Sequence, residues 1–153
     1  MTDLAALART ILEGINARDF DTVASFLDPA YEAEWPEGLL DFEGSILREA
    51  AMLTALPDTR FEIERISPIA DDRVLVEAWA NGTLQDRLDL PYGLTAPPTG
   101  RSIRIPILFL MTFRDGILVS ERVLFDQLRL LHDARALGAL VATDPPEASG
   151  DGP

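Results

Sequence analysis

RSIRIPILFLMTFRDGILVSERVLFDQLRLL, residues 101–131, is the stretch that decides the fold. Apolar residues dominate a strand-length run from Arg101 to Phe113, and Arg114-Asp115-Gly116 reads as a turn. Apolar and β-branched residues resume from Gly116 to Phe125, so the two runs are expected to fold back on each other. After Asp126 the period changes, and Gln127 to Leu137 reads as an amphipathic helix stopped by Gly138.

Upstream, RFEIERISPI (60–69) and DRVLVEAWANGTL (72–84), joined by an Asp71-Asp72 turn, complete a set of four strands. The segment 89–100, DLPYGLTAPPTG, is dense in Pro and Gly and reads as a loop. Before the strands the period is helical. Leu4, Leu7, Ala8, Ile11, Leu12 and Ile15 define one helix, capped by Thr2 or Asp3. A short helix is predicted from Asp19 to Leu27, ended by Asp28-Pro29. YEAEWPEG, residues 31–38, is expected to be irregular or briefly extended. A third helix is predicted from Ser45 to Leu56, with Ile46, Leu47, Ala50, Leu53 and Leu56 on one side and Pro57 as its stop.

Helices followed by a run of antiparallel strands imply an α+β fold, with the helices covering one face of a curved sheet. A cone of that kind has a mouth suited to a ligand. Residues 1–138 form the expected single domain, and 139–153, ALVATDPPEASGDGP, the expected flexible tail.

The charge narrows the partners. Thirteen basic against 26 acidic residues give a net charge of −13, which repels nucleic-acid phosphates and anionic lipid. Lysine is absent, so Schiff-base catalysis through a lysine amine is excluded. With no cysteine, thiol nucleophiles, disulfides and Cys-ligated zinc are excluded too. One histidine, His132, cannot build a multi-His metal site, so no metal is expected. The N-terminus lacks a signal-peptide pattern. The longest apolar run, IPILFLMTF, contains a proline and is too short to span a membrane, so a cytoplasmic protein is expected.

Several short motifs recur in a telling order. ALPD occupies 55–58, NGT 81–83 and PTGR 98–101; Asp115-Gly116 turns into the last strand; Asp126 follows that glycine by ten residues and precedes a helix ending in Leu137-Gly138. In order and spacing, residues 4–138 resemble the SnoaL-like polyketide cyclase branch of the nuclear transport factor 2-like superfamily. The resemblance implies a cystatin-like cone, a curved antiparallel sheet wrapped around N-terminal helices. It also implies a small hydrophobic molecule as partner, a homodimer packed through the outer face of the sheet, and chemistry without metal or organic cofactor. Asn81-Gly82 alone is a hairpin signal, whereas the resemblance implies a continuing strand there.

Asp126 falls where SnoaL-like cyclases carry their acid/base aspartate. Aspartate is also among the best helix N-caps, and both readings stand on the residues alone. A carboxylate desolvated in an apolar cone gains the raised pKa that proton abstraction next to a carbonyl requires. Asp126 shares strand parity with Leu124, Arg122 and Ser120. Arg122 lies roughly 13 Å from it along an extended strand, so it would bind a substrate carboxylate or enolate, or serve the surface or a dimer interface. Glu77 and Trp79 share a face opposite Val76, Ala78 and Ala80, either pocket wall or outer surface. Tyr31 and Trp35 are expected near the cavity, as plugs or ligand contacts, and Phe109 and Met111 in the core or pocket wall.

Departures from the family pattern matter as much. Leu84 and Asp86 stand where SnoaL-like sequences commonly carry a histidine and a glycine, which removes a possible donor to the substrate carbonyl. Related limonene epoxide hydrolases need an Arg and a second Asp at positions that fall on Ala78 and Ala80. Arg87-Leu88-Asp89 lies some nine residues further on, so epoxide hydrolysis is disfavoured. His132 and Asp126, six residues apart, do not share a helix face, which argues against a triad. The reading is a cofactor-independent cyclase or isomerase acting on a hydrophobic carbonyl compound through Asp126. Its alternative is a non-catalytic binding or interaction module on the same cone.

Overall fold

The computed structural model describes residues 2–143. Helix α1 (Leu4–Ala17) starts where Asp3 accepts from the N–H groups of Ala5 and Ala6, and it buries Ala8, Ile11, Leu12 and Ile15. Arg18, in the left-handed region at φ 60°, ends it. Helix α2 (Phe20–Ser25), capped by Asp19, is shorter than predicted because Leu27 already belongs to a strand.

That strand, β1 (Leu27–Trp35), pairs with β2 (Gly38–Leu40). The segment expected to be irregular is therefore a hairpin. Its alternation explains why: Tyr31 and Ala33 are buried while Glu32 and Glu34 face out. Helix α3 (Phe42–Ala55) begins three residues before the predicted start, capped by Asp41.

Strands β3 (Arg60–Ala70) and β4 (Arg73–Thr83) follow; Asn81 and Gly82 continue β4 as the family resemblance implied. Gly82 has a packing reason, since a Cβ there would meet Thr59 Oγ1 at 3.1 Å and Leu56 Cδ2 at 3.3 Å. The predicted loop contains β5 (Leu88–Leu90) and β6 (Leu94–Ala96). Then come β7 (Ser102–Arg114), β8 (Ile117–Phe125), α4 (Gln127–Asp133) and β9 (Val141–Ala142). Helix α4 stops short of the predicted Leu137, with Arg135 at φ 53° and a 3-10 turn at Leu137–Ala139. Because β9 pairs with β6, the first residues of the predicted tail join a small sheet; residues 144–153 lie outside the described residues.

The main sheet has the order β2-β1-β8-β7-β4-β3. All neighbours are antiparallel except β1 and β8, which run parallel; the whole chain from β2 to β7 supplies the long connection such a pair requires. Inward rows match in register: Val74 with Met111, Val76 with Phe109, Ala78 with Ile107 and Ala80 with Ile105. Helix α1 is tied to edge strand β3 by the Asn16 amide, which donates to Phe61 O at 2.8 Å and accepts from Phe61 N at 2.7 Å. Arg18 adds bonds to the carbonyls of Pro57 and Thr59 at 2.8 Å each. These contacts close the helices over the sheet.

Candidate active site

A bulge in β8 builds the polar end of the interior. Thr112 pairs with Ser120 and Phe113 with Leu118, so Val119 is extra and the inward parity switches. Leu118 faces in before the bulge; Glu121, Val123 and Phe125 face in after it. Glu121 thus stands between Ala33 on β1 and Met111 on β7, both fully buried. Tyr31 Oη donates to Glu121 Oε2 at 2.7 Å. Tyr31 is itself 5% exposed and is held by the inward parity it shares with Ala33 and Trp35.

Helix α3 contributes the second acid. Its inward stripe runs through Ser45, Glu49, Met52, Leu53 and Leu56, rotated from the predicted one, and Ile46 and Leu47 are exposed. Two chambers meet at Glu49 and Trp35, which line both. The front chamber, under α3 and α4, is walled by Phe61, Ile105, Ile107 and Phe125, and about 50 Å³ of it is wide enough for water. Its polar side chains are Glu49 and Thr59, with Asn81 at the edge turned outward to Arg104, so among the described residues Glu49 is the one ionisable group lining it. The rear chamber, between α1, α2 and α3, holds Tyr31, Ser45, Glu49 and Glu121 among apolar walls.

Trp35 forms the partition. It meets Phe125 edge-on at 6.3 Å and carries the Arg48 guanidinium 5.5 Å from its ring centre. Arg48 in turn pairs with Glu37, which fixes that cation outside both chambers.

Burial pushes Glu121 up to about 7, against the opposing pull of the Tyr31 hydrogen bond. Burial first, and the like charge of Glu121 second, also push Glu49 up to about 7, with Arg18 pulling the other way. Tyr31 is driven far above the ordinary phenol range by burial and then by Glu121, so it acts as a fixed donor. The arrangement offers a carboxyl poised near neutrality inside an apolar chamber, with a second carboxyl behind it.

The sequence-predicted residues divide between inside and outside. Tyr31 and Trp35 are in the site, and Phe109 is core, edge-on to Phe61 at 5.3 Å. Asp126 is exposed, lines neither chamber, and accepts the Arg129 N–H at 3.0 Å as the N-cap of α4. The residues sharing its parity are on the outer face: Arg122 pairs with Glu34 at 2.5 Å, and Leu124 is 47% exposed. Glu77 and Trp79 are outside as well. Glu77 pairs with Arg65 at 2.5 Å, which holds its carboxylate below the usual range, and Trp79 lies under Arg104 at 4.6 Å. Inward Ala78 and Ala80 leave no acid or arginine where epoxide hydrolases need them. Leu84, in place of the family histidine, is core. His132 is exposed.

Glu49 and Glu121 were missed by sequence reasoning. For Glu121 the available signal was the inward parity of Val123 and Phe125, and for Glu49 its i, i+3, i+4 spacing to Met52 and Leu53. Among the described residues no group of three or more His, Cys, Asp or Glu side chains could hold a metal ion. No helix among them is long and apolar enough to cross a membrane.

Residues 5–134 match the family described as SnoaL-like polyketide cyclase. No curated protein matches the chain. Solved structures share the fold. AclR, a proposed hydroxylase from Streptomyces galilaeus, is 20% identical at a TM-score of 0.73, over 86% of this chain and 95% of its own. IdmH, a proposed polyketide cyclase from Streptomyces antibioticus, gives 20% and 0.73 over 86% and 98%. A SnoaL-like polyketide cyclase from Agrobacterium tumefaciens gives 19% and 0.70 over 86% and 98%.

Proposed function

Because the chain belongs to the SnoaL-like polyketide cyclase family, we propose that it is a cyclase or isomerase that moves a proton on an uncharged, apolar carbonyl compound held in the front chamber. Glu49, not Asp126, is the acid/base in this reading. The observation that carries it is that Glu49 is the one ionisable side chain lining an otherwise apolar chamber. Asp126, exposed and committed to a helix cap, has neither desolvation nor access to that space.

The Glu49 carboxylate takes a proton from the carbon next to the substrate carbonyl. The C–H bond breaks, a carboxyl O–H forms, and the electron pair moves to the carbonyl oxygen as an enolate. In an isomerase Glu49 returns that proton to a different carbon. In a cyclase the enolate carbon attacks a second carbonyl of the same molecule, and Glu49 protonates the alkoxide that results. No cation lines the chamber, so a carboxylate or phosphate substrate would face Glu49 without countercharge. That favours ketones, quinones and esters.

The test is a screen of enolisable ketones and polyketide-like esters in deuterated water, with solvent deuterium uptake read by mass spectrometry. Glu49→Gln should lose exchange and turnover while Asp126→Asn keeps both. A ligand that binds Glu49→Gln as tightly as wild type, and that is never exchanged or converted, would sink the enzymatic reading and leave a binding module. The working unit in this proposal is a homodimer joined through the outer sheet face.

A further inference from the structure

The mechanism above uses Glu49 and leaves Glu121 and the rear chamber without a role. A glutamate placed among Ala33, Met111 and Leu118 on the inner face of a sheet is costly to keep unless its proton matters. Its hydrogen-bond partner is Tyr31, and the chamber it faces is also lined by Glu49.

The surroundings leave the two acids to each other. From α1, Arg18 reaches towards Glu49, but its guanidinium is spent on the carbonyls of Ile15, Pro57 and Thr59. From β1 comes the Tyr31 hydroxyl, and from α3 itself Ser45, which donates to Asp41 O, and Arg48, which is paired with Glu37. Helix α2 contributes apolar side chains, Phe20, Val23 and Ala24. The rear chamber reaches solvent where Phe20, Ala24 and Ile46 are exposed, and about 50 Å³ of it is wide enough for water.

We propose that Glu121, fixed by Tyr31, is a positioning residue that shares one proton with Glu49 across the rear chamber and holds that proton while Glu49 meets substrate as the carboxylate. The inference rests on Glu49 being the group that meets substrate. In the transfer the Glu49 O–H bond breaks and a Glu121 O–H bond forms through one bridging water, which leaves Glu49 as the carboxylate. The carboxyl shifts agree in sense, since each acid is held near neutrality and part of the Glu49 shift comes from Glu121. Two acids so coupled give up their protons in two steps that belong to the pair.

The experiment is a carboxyl-carbon NMR titration of the full chain, with Glu49 assigned from Glu49→Gln. Wild type should show Glu49 titrating in two coupled steps. Glu121→Gln keeps the shape and the Tyr31 bond but cannot share a proton, and Glu49 should then titrate once, about one pH unit lower. Glu121→Asp should restore the coupling. Tyr31→Phe should raise Glu121 and, by relieving repulsion at a given pH, lower Glu49; it carries the test if Glu121→Gln does not fold. An identical Glu49 curve in wild type and in these variants overturns the proposal whatever the activity. With a substrate in hand, Glu121→Gln should move the pH limb down by about one unit with the titration and lower the plateau kcat a few-fold at unchanged KM. Loss of kcat with an unmoved limb would mark Glu121 as merely structural. Turnover that survives Glu49→Gln, by contrast, would remove the proposed function and leave the measured coupling standing.

Discussion

Tyr31 Oη lies 2.7 Å from Glu121 Oε2, and this bond joins the two strands of the sheet's parallel pair through a buried phenol and a carboxyl. It does not cancel the desolvation of Glu121, which still sits at about 7 rather than 4.5. Glu49 is raised to about 7 too. A carboxyl that holds its proton more tightly folded than unfolded stabilises the fold at low pH and loses that contribution as pH rises through the folded value. Stability should therefore fall between about pH 4.5 and pH 7 on account of this pair. Glu121→Gln removes one ionisation, so its unfolding free energy from urea titration should exceed that of wild type at pH 8, by roughly 1–3 kcal/mol, and converge with it near pH 4. A difference that is the same at both pH values would exclude this origin.

The proposed reaction through Glu49 has its own pH signature. A base with a value near 7 leaves kcat rising with pH up to about neutrality and then flat. Replacing Glu49 by Gln should cost on the order of 10²–10⁴ in kcat with far-UV circular dichroism unchanged. A profile flat from pH 4 upwards would point away from Glu49.

The Asp126 carboxylate has a different use. As the N-cap of α4 it satisfies the Arg129 N–H at 3.0 Å. Asp126→Ala should cost about 1 kcal/mol, and Asp126→Asn a few tenths, with activity retained in both. If Asp126→Asn abolishes turnover at unchanged stability, the reactive carboxyl has been placed on the wrong residue.

That reassignment marks where the sequence was legible and where it was not. The helix-then-strand layout, the Asp3 cap, the Asp115-Gly116 turn and the family motifs all express local periodicity or turn chemistry, and they fold as read. The face of β8 was not legible, because the extra residue Val119 switches its parity. Ile117, Leu118 and Val119 on one side of the bulge, and Val123, Leu124 and Phe125 on the other, fit either face equally well. Read without the bulge, Leu118 places Arg122, Leu124 and Asp126 inside and Glu121 outside. The same limit hid Glu49. Ile46 and Leu47 pull an apolar stripe toward solvent, and only the packing of α3 on β1 and β5 shows which side is buried. β1 was obscured by Pro36 and three glutamates, though its Tyr-x-Ala-x-Trp alternation was there to be read.

The outer face of the sheet carries the last prediction. Pro106 pairs with Trp79, Leu108 with Glu77 and Leu124, and Leu110 with Leu75 and Arg122, so a band of apolar side chains crosses β4, β7 and β8. Ion pairs flank it: Arg104 with Glu62 at 2.8 Å, Arg65 with Glu77 at 2.5 Å and Arg122 with Glu34 at 2.5 Å. Such exposed pairs add little to monomer stability, but an apolar centre with a charged rim is the composition of a self-complementary interface. A two-fold partner would bury the band while its charges met their opposites across the axis. A stable dimer needs roughly 1,200–2,000 Å² buried in total, which a six-stranded face can supply. Leu108→Arg puts a cation at the centre of the band without touching either chamber. It should convert a dimeric wild type to monomer in sedimentation velocity, with Glu49 titrating as before. A wild type that sediments as a monomer at tens of micromolar would show that the band serves some other purpose.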